Sequence, residues 1–151
     1  ELDVNTQINN VINSLANLGK KKNISIKCSC SKAKTVLADK GALERILNNL
    51  IDNAFKYSEN DSEINIYTKK VNDFLEISIT DEGRGVPDDE QEFIFDRFFR
   101  TAEARATEKN GSGLGLAIVR NLVHSLNGEV GVKNGKDKGS IFWFTLPLKT
   151  S

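Results

Sequence analysis

The chain has 151 residues, of which 38% are hydrophobic and 28% charged, and its 21 basic and 21 acidic side chains give a formal net charge of zero. This length fits one domain, and the balanced composition excludes both a disordered chain and the strongly basic surface of a general nucleic-acid binder. No apolar run approaches the ~20 residues that span a bilayer. The sequence contains no Met, so we expect residues 1–151 to be a single domain excised from a larger protein.

Cys28 and Cys30 are the only cysteines, and one residue separates them. At this spacing in a strand both side chains lie on the same face. Two cysteines are too few for a four-ligand zinc site unless other residues help, and the only histidine, His124, is far along the chain. We therefore expect two reduced thiols in a half-buried strand, as in a reducing, cytoplasmic compartment.

Hydrophobic periodicity predicts the elements in chain order. They are a helix at 4–18, a strand at 24–30, a possible short strand at 35–37, a helix at 43–55, a hairpin around 64–67 and 75–79, a loop at 81–87, a short helix at 90–99, a mobile polar segment at 101–111, a helix at 114–126 and a strand pair at 129–132 and 140–146. Because helices and hairpin strands mix, we predict an α/β fold of the α+β type, with one mixed sheet covered by helices on one face.

Polar side chains line one flank of the predicted 43–55 helix. At 100° per residue, Asn49, Asn53 and Lys56 fall together beside the apolar stripe. Amide oxygens are hard ligands that suit Mg²⁺, and an ammonium group supplies a point charge for phosphate. The flank could thus hold a metal and phosphate oxygens. For this helix alone, the hydrated face of an ordinary amphipathic helix is the simpler interpretation.

The sequence DEGRG at 81–85 follows the predicted strand at 75–79. The carboxylate of Asp81, at a strand end, can accept a hydrogen bond from an exocyclic amine such as that of adenine. Gly83 and Gly85 allow the backbone to approach a flat ligand closely. A simple turn after a strand is the alternative interpretation of this segment.

Glycines open the last predicted helix, in the sequence GSGLGLA at 111–117. Backbone N–H groups at the beginning of a helix lie at the positive end of its dipole and can bind an anion. The spacing is not the dinucleotide-binding fingerprint, because Ile118 stands where that pattern has a third glycine, and no Gly-Lys-Ser/Thr sequence makes it a P-loop. A flexible loop is the alternative.

Taken together, these segments resemble sensor histidine kinases. DKGALERILNNLIDNAFKYS at 39–58 is similar to their asparagine box, DEGRG to their first glycine box, and FIFDRFFR at 93–100 to their phenylalanine box. GSGLGLAIVRNLVHSLNGEV resembles their second glycine box, and KGSIFWFTLPL at 138–148 resembles their closing strand. The resemblance covers about 39–148, in the family's order and spacing.

The resemblance implies the Bergerat ATP-binding fold, with a mixed sheet of about five strands, three main helices on one face and a mobile lid over 101–110. Asn53 is then the Mg²⁺ ligand, Asp81 the adenine acceptor, and Asn49, Lys56 and Arg100 the candidate catalytic groups. The residues that the family motifs place around ATP are Asn49, Asn53, Lys56, Tyr57, Asp81, Gly83, Gly85, Val86, Arg97, Arg100, Gly111, Ser112, Gly113, Leu114, Gly115 and Leu116.

One position separates kinases from hydrolases in this resemblance. Gyrases, related chaperones and mismatch-repair ATPases carry a Glu four residues before the metal-binding Asn, where it can activate water as a general base. This chain has Asn49 there, and an amide cannot take a proton. The resemblance therefore implies slow hydrolysis and transfer of the γ-phosphoryl group to a histidine on another domain.

The phosphoacceptor is missing from this chain. His124 lies in HSLN within the last predicted helix, which does not match the family's acceptor motif, so we expect a helix-surface residue. The implied partners are a dimerisation domain of the same protein and a response regulator, in a cytoplasmic domain of a homodimeric protein that can be membrane-anchored. The domain alone is expected to be monomeric. A stand-alone serine kinase resembling anti-sigma factors and a non-catalytic nucleotide-binding module are the alternatives.

Overall fold

The computed structural model describes residues 2–20, 23–29, 35–83, 85–96, 115–135 and 139–149. Within them the helices are α1 (Val4–Lys20), α2 (Lys40–Tyr57) and α3 (Gly115–Ser125). The strands are β1 (Leu2–Asp3), β2 (Ser25–Ser29), β3 (Thr35–Val36), β4 (Glu63–Val71), β5 (Phe74–Thr80), β6 (Val130–Asn134) and β7 (Ser140–Pro147). Among the helices of these residues, none has the length and apolar character that crossing a membrane requires.

Five of the strands form one sheet in the order β2–β4–β5–β7–β6. β2 runs parallel to β4, and all other neighbours are antiparallel. In β5 the alternate residues Leu75, Ile77 and Ile79 are at most 1% exposed. Because alternate side chains of a strand point to opposite faces, these three residues turn one face of the sheet toward the core that the helices share. The predicted mixed sheet of about five strands with three helices is confirmed.

Capping hydrogen bonds define the two ends of helix α2, and an apolar stripe defines its buried face. Asp39 Oδ2 accepts a hydrogen bond from the Ala42 N–H at 2.9 Å and so caps the helix at its beginning. At the end, the Ser58 N–H and hydroxyl both donate to the Ala54 carbonyl, at 3.0 and 2.6 Å. The buried stripe consists of Leu43, Ile46, Leu47, Leu50, Ile51, Ala54 and Phe55. Burial of this stripe leaves the polar flank of α2 at the edge of the core.

A second sheet has two short strands, β1 and β3, which pair antiparallel. Val36 of β3 also forms a bridge with Leu148, just after β7. The sequence predicted a strand near 35–37 only as a possibility and none at residues 2–3, because strands of two residues are too short to show a period.

Two local expectations are wrong within the described residues. The segment 90–96, predicted as the first part of a short helix, is a run of turns in which Phe93 N–H donates to Glu90 O and Asp96 N–H to Phe93 O. Cys28 is exposed and disulfide-bonded, contrary to the expectation of two reduced, half-buried thiols. Cys30, the rest of the predicted short helix and the polar segment 101–111 lie outside the described residues.

Candidate functional site

The polar flank of α2 faces the beginning of α3. The two helices pack together, and Asn49 Oδ1 lies 3.5 Å from the position that a Cβ atom on Gly115 would occupy. Asn53 is one helical turn further along α2, about 6 Å on the rise of an α-helix. Both asparagines are partly exposed. The structure thus brings a residue of the asparagine-rich helix next to the glycine that begins α3.

The other end of α2 contacts the loop that follows β5. A Cβ atom on Gly83 would overlap the Tyr57 carbonyl group and would lie 3.1 Å from Asp81 Oδ1. No side chain fits there, so glycine is what allows the helix end and the loop to approach each other. This contact joins Tyr57 to Asp81 and Gly83, which the sequence places in a separate motif.

Asp81 is a buried carboxylate, with 3% of its surface exposed. Its Oδ1 accepts from the backbone N–H groups of Gly83 at 2.9 Å and Ser140 at 3.3 Å, and its Oδ2 accepts from the Ser140 hydroxyl at 2.9 Å. Burial raises the pKa of Asp81, and the hydrogen bonds from Gly83 and Ser140 partly offset that rise. The carboxylate is therefore held in one orientation and has lone pairs left for a further donor.

The next part of this loop is fixed by the β6–β7 hairpin. Gly85 has a φ of +79°, and Val86, 6% exposed, donates its N–H to Asn134 Oδ1 at 2.8 Å. Asn134 and Ser140 are residues of this arrangement that the sequence reasoning missed. Ser140 lies in the motif at 138–148, for which the resemblance predicted only a strand. Asn134 begins an Asn-Gly pair, which predicted only a turn.

The remaining candidates lie at the edge of the arrangement or outside the described residues. Lys56 Nζ lies 3.4 Å from the Asp52 carboxylate on α2, with both side chains nearly half exposed. Leu116, the second residue of α3, packs partly buried against the core. His124 is 52% exposed, which confirms it as a helix-surface residue. The candidates outside the described residues are Arg97, Arg100, Gly111, Ser112, Gly113 and Leu114.

A family model matches residues 38–150 of this chain. Its description is histidine kinase-, DNA gyrase B-, and HSP90-like ATPase, and the chain belongs to this family. The match includes α2, α3 and the large sheet except β2.

Curated relatives are sensor kinases. The sensor-like histidine kinase SenX3 of Mycolicibacterium smegmatis is 38% identical over 124 residues, which cover 82% of this chain and 32% of that protein. The sensor histidine kinase WalK of Bacillus subtilis is 37% identical over 113 residues, which cover 74% of this chain and 18% of that protein. The chain thus spans about a third or less of these relatives.

Solved structures show the same fold. The mycobacterial sensor histidine kinase MprB superimposes with a TM-score of 0.86 at 29% identity, covering 99% of both chains. Full-length ShkA in complex with AMPPNP gives a TM-score of 0.85 at 30% identity, covering 99% of this chain and 31% of that one. The chain is the ATP-binding catalytic domain of a histidine kinase. The predictions of the family and of the Bergerat-type α/β fold are confirmed.

Proposed function

We propose that this chain binds Mg²⁺-ATP and transfers the γ-phosphoryl group to a histidine side chain on a separate dimerisation domain. The observation that carries the proposal is the meeting of three motifs at α2, with Asn49 beside Gly115 and Tyr57 beside Gly83. These residues are distant in sequence, and the convergence of family motifs from each segment supports a shared site. The sensor-kinase relatives support the same reaction.

Asp81 supports recognition of adenine. A buried carboxylate is a hydrogen-bond acceptor only, so it favours a base that presents an exocyclic amine over guanine, which presents a carbonyl oxygen at the same position. The N–H and hydroxyl donors of Gly83 and Ser140 fix the carboxylate before the base arrives. Gly83 and Gly85 add no side chain to this loop, so a planar base can lie close to its backbone.

The flank of α2 and the beginning of α3 support phosphate binding. Asn49 and Lys56 carry an amide and an ammonium group on this flank, and the family motif adds Arg100. Backbone N–H groups at the start of a helix favour anions, which is the role proposed for Gly111, Ser112, Gly113, Leu114, Gly115 and Leu116. Arg97 is proposed as a further nucleotide contact at the beginning of the lid.

Asn53 is the proposed protein ligand of Mg²⁺. In the part of the chain that the structure describes, no group of three or more His, Cys, Asp or Glu residues could hold a metal. An amide oxygen is a hard ligand, and Mg²⁺ commonly keeps waters and shares substrate phosphates as its other ligands. This donor set therefore fits Mg²⁺ bound together with ATP. The chemistry that the ion would supply is neutralisation of phosphate charge.

Asn49 favours transfer to another domain over hydrolysis, because its amide cannot remove a proton from water. In the transfer, an imidazole nitrogen of the acceptor bonds to the γ-phosphorus, the bond from phosphorus to the β–γ bridging oxygen breaks, and ADP leaves. Such a reaction depends mainly on positioning and charge neutralisation. Asn49, Lys56 and Arg100 are the groups we assign to these tasks.

The partners follow from the same proposal. The phosphoacceptor is a dimerisation domain of the same protein, and the phosphoryl group then passes to a response regulator. We propose that residues 1–151 act as one catalytic unit, monomeric by itself, on the cytoplasmic side of a homodimeric sensor kinase.

The test has a binding step and a transfer step. Titration calorimetry with AMPPNP, with and without Mg²⁺, should show saturable binding that Mg²⁺ strengthens, and Asn53→Ala should remove the effect of Mg²⁺. Labelled phosphate from ATP should then reach a supplied histidine-bearing dimerisation domain, and a His→Gln variant of that domain is the control. Equal Mg²⁺ dependence in Asn53→Ala would assign the metal to another residue.

The same experiments separate the alternatives. Binding without transfer would point to a non-catalytic nucleotide-binding module, and label on a serine of a protein partner would point to an anti-sigma-factor-like kinase. Rapid hydrolysis by the isolated chain would contradict the role given to Asn49. No binding at millimolar AMPPNP would overturn the proposed function.

A further inference from the structure

Asn134, the last residue of β6, makes two side-chain hydrogen bonds to the loop after β5. Its Oδ1 accepts from the Val86 N–H at 2.8 Å, and its Nδ2 donates to Asp88 Oδ1 at 3.4 Å. The two partners lie 48 and 46 residues away in sequence. One amide group, whose oxygen accepts and whose nitrogen donates, is therefore matched to two positions of a single loop.

The surroundings of Asn134 fit this side chain closely. A Cβ atom on Gly85 would lie 2.8 Å from Asn134 Oδ1 and 3.0 Å from the Gly139 carbonyl oxygen. Gly85 and Gly139 both have positive φ angles, +79° and +83°, which side chains other than glycine adopt with strain. The loop and the hairpin thus meet at van der Waals distance, and Asn134 lies at the centre of the contact.

The hairpin also reaches the buried carboxylate. The Asp81 N–H donates to the Ser140 carbonyl at 3.0 Å, and Ser140 donates its own N–H and hydroxyl to Asp81. Gly135 N–H donates to the Gly139 carbonyl at 2.9 Å and closes the hairpin. Asp81 and Val86 are therefore both bonded to one hairpin, through Ser140 and Asn134 respectively.

We propose that Asn134 is a positioning residue for nucleotide binding, which acts by fixing the backbone of Gly85 and Val86 relative to Asp81. This inference rests on the proposed function, since it assumes that the 81–86 loop forms one wall of the site for the adenine base. Asn134 itself does not contact the nucleotide in this proposal. Its Val86 bond sets the distance of the loop from the base, and its Asp88 bond sets the orientation of the amide.

The test is an exchange of the two side chains. In Asn134→Asp, one oxygen still accepts from Val86, but the other replaces the donor that faces Asp88 and places like charges together. Adding Asp88→Asn restores a donor, now on residue 88, and the original net charge. Asn134→Ala removes both side-chain hydrogen bonds. Because they affect the nucleotide only through the loop, we expect the Kd for AMPPNP to rise about fivefold, the size of one ordinary hydrogen bond, and Asn134→Asp to raise it about as much. The double variant should return to within about twofold of the original Kd.

Asn72→Asp is the matched control. Asn72 is an exposed turn residue with positive φ between β4 and β5, at the end of the sheet away from Asp81. The variant makes the same chemical change and should leave the Kd unaltered. Thermal unfolding without nucleotide, measured for every variant, ensures that each is folded at the titration temperature.

Restored affinity in the double variant, with folded single variants, supports a positioning role. An unchanged Kd in Asn134→Ala would overturn the inference while leaving the proposed function intact. A Kd that rises in both single variants and is not restored by the exchange would also overturn it, since the Asp88 pairing would then be irrelevant. If the unmodified chain fails to bind AMPPNP, the proposed function fails first, and the inference fails with it.

Discussion

The two ends of the large sheet are joined to the rest of the molecule by different kinds of bond. At the end where β5 leads into Asp81, side-chain bonds add to the backbone bond from Asp81 N–H to the Ser140 carbonyl: the Ser140 hydroxyl donates to Asp81, and the Val86 N–H donates to the Asn134 side chain. At the other end, backbone hydrogen bonds join the segment around β3, the turn between β4 and β5 and the end of β7. They are Leu37 N–H to Pro147 O at 3.1 Å, Leu148 N–H to Asp73 O at 2.9 Å and Lys149 N–H to Thr35 O at 3.0 Å.

This difference has a consequence for mutation. Any residue except proline can donate a backbone hydrogen bond, so the end near Leu37 depends little on which side chains it carries. The end near Asp81 depends on particular polar groups and glycines. Substitutions there should change nucleotide binding, whereas substitutions at the other end should change stability slightly and leave binding unchanged.

The largest effect is expected for Gly139→Ala. A Cβ atom at residue 139 would overlap the Asp81 carbonyl group, and the φ of +83° is unfavourable for alanine. Backbone strain and overpacking together should lower the free energy of unfolding by about 3 kcal/mol or more. Denaturant unfolding measures this loss. Gly41→Ala in the first turn of α2, where the nearest atom is a carboxylate oxygen at 3.3 Å, should change it by less than about 1 kcal/mol.

Asp81→Asn should separate binding from stability. The amide can still accept from Gly83 and Ser140, but it presents a donor where adenine also presents one. Loss of a hydrogen bond to a charged group predicts a Kd for AMPPNP about 30-fold higher, measured by calorimetry. The thermal midpoint without nucleotide should not fall, because the variant removes a buried charge. Unchanged affinity would remove Asp81 from the adenine site.

The same variant exposes a pH effect. Burial places the pKa of Asp81 in the folded chain above its ordinary value of 3.8, so the folded state binds this proton more tightly than the unfolded state. At neutral pH the folded chain therefore carries the cost of burying an ionised carboxylate. Protonation relieves this cost as the pH falls through the folded-state pKa towards 3.8, and the folded chain becomes more stable. The unfolding free energy of the unmodified chain, minus that of Asp81→Asn, should rise between pH 7 and about pH 4. A flat difference would contradict the raised pKa.

Gly115→Ala should change stability less than Gly139→Ala does, and in the opposite direction. Among the described residues, a Cβ atom there meets the Asn49 side chain alone, with Oδ1 at an ordinary contact distance of 3.5 Å, and alanine favours a helix over glycine by up to about 1 kcal/mol. The free energy of unfolding should therefore rise slightly. The Kd for AMPPNP should increase, because the added methyl group lies beside Asn49 where phosphate is proposed to bind. Equal Kd values would place the phosphates elsewhere.

Val71→Thr, at the opposite end, should have the smallest effect. Val71 is 37% exposed at the end of β4 and pairs with Phe74. Threonine is also β-branched and suits a strand, so the unfolding free energy should change by less than about 0.5 kcal/mol. The Kd for AMPPNP should be the same as in the unmodified chain. A changed Kd would show that the two ends of the sheet are coupled.

Sequence analysis predicted well the elements in which the apolar period repeats several times. The apolar spacing of α2 and the alternation of β5 extend over several repeats, and both elements appear as predicted. The strand β1 and the turns at 90–96 were not predicted, because two residues show no period and turn bonds between residues three apart resemble the start of a helix. The disulfide of Cys28 was not predicted either, because two cysteines at this spacing do not indicate a disulfide.

The sequence by itself determined the family, the α/β class and the motif residues, because apolar periodicity and short glycine and asparagine motifs are local properties of the chain. Only the tertiary structure decided which of these segments meet. Asn49 lies beside Gly115, Gly83 fits against Tyr57, and Asn134 and Ser140 hold the loop after β5. The partners of Asn134 and Ser140 are 46 to 59 residues away, and such pairing is fixed by strand order and helix packing, which a local pattern does not contain.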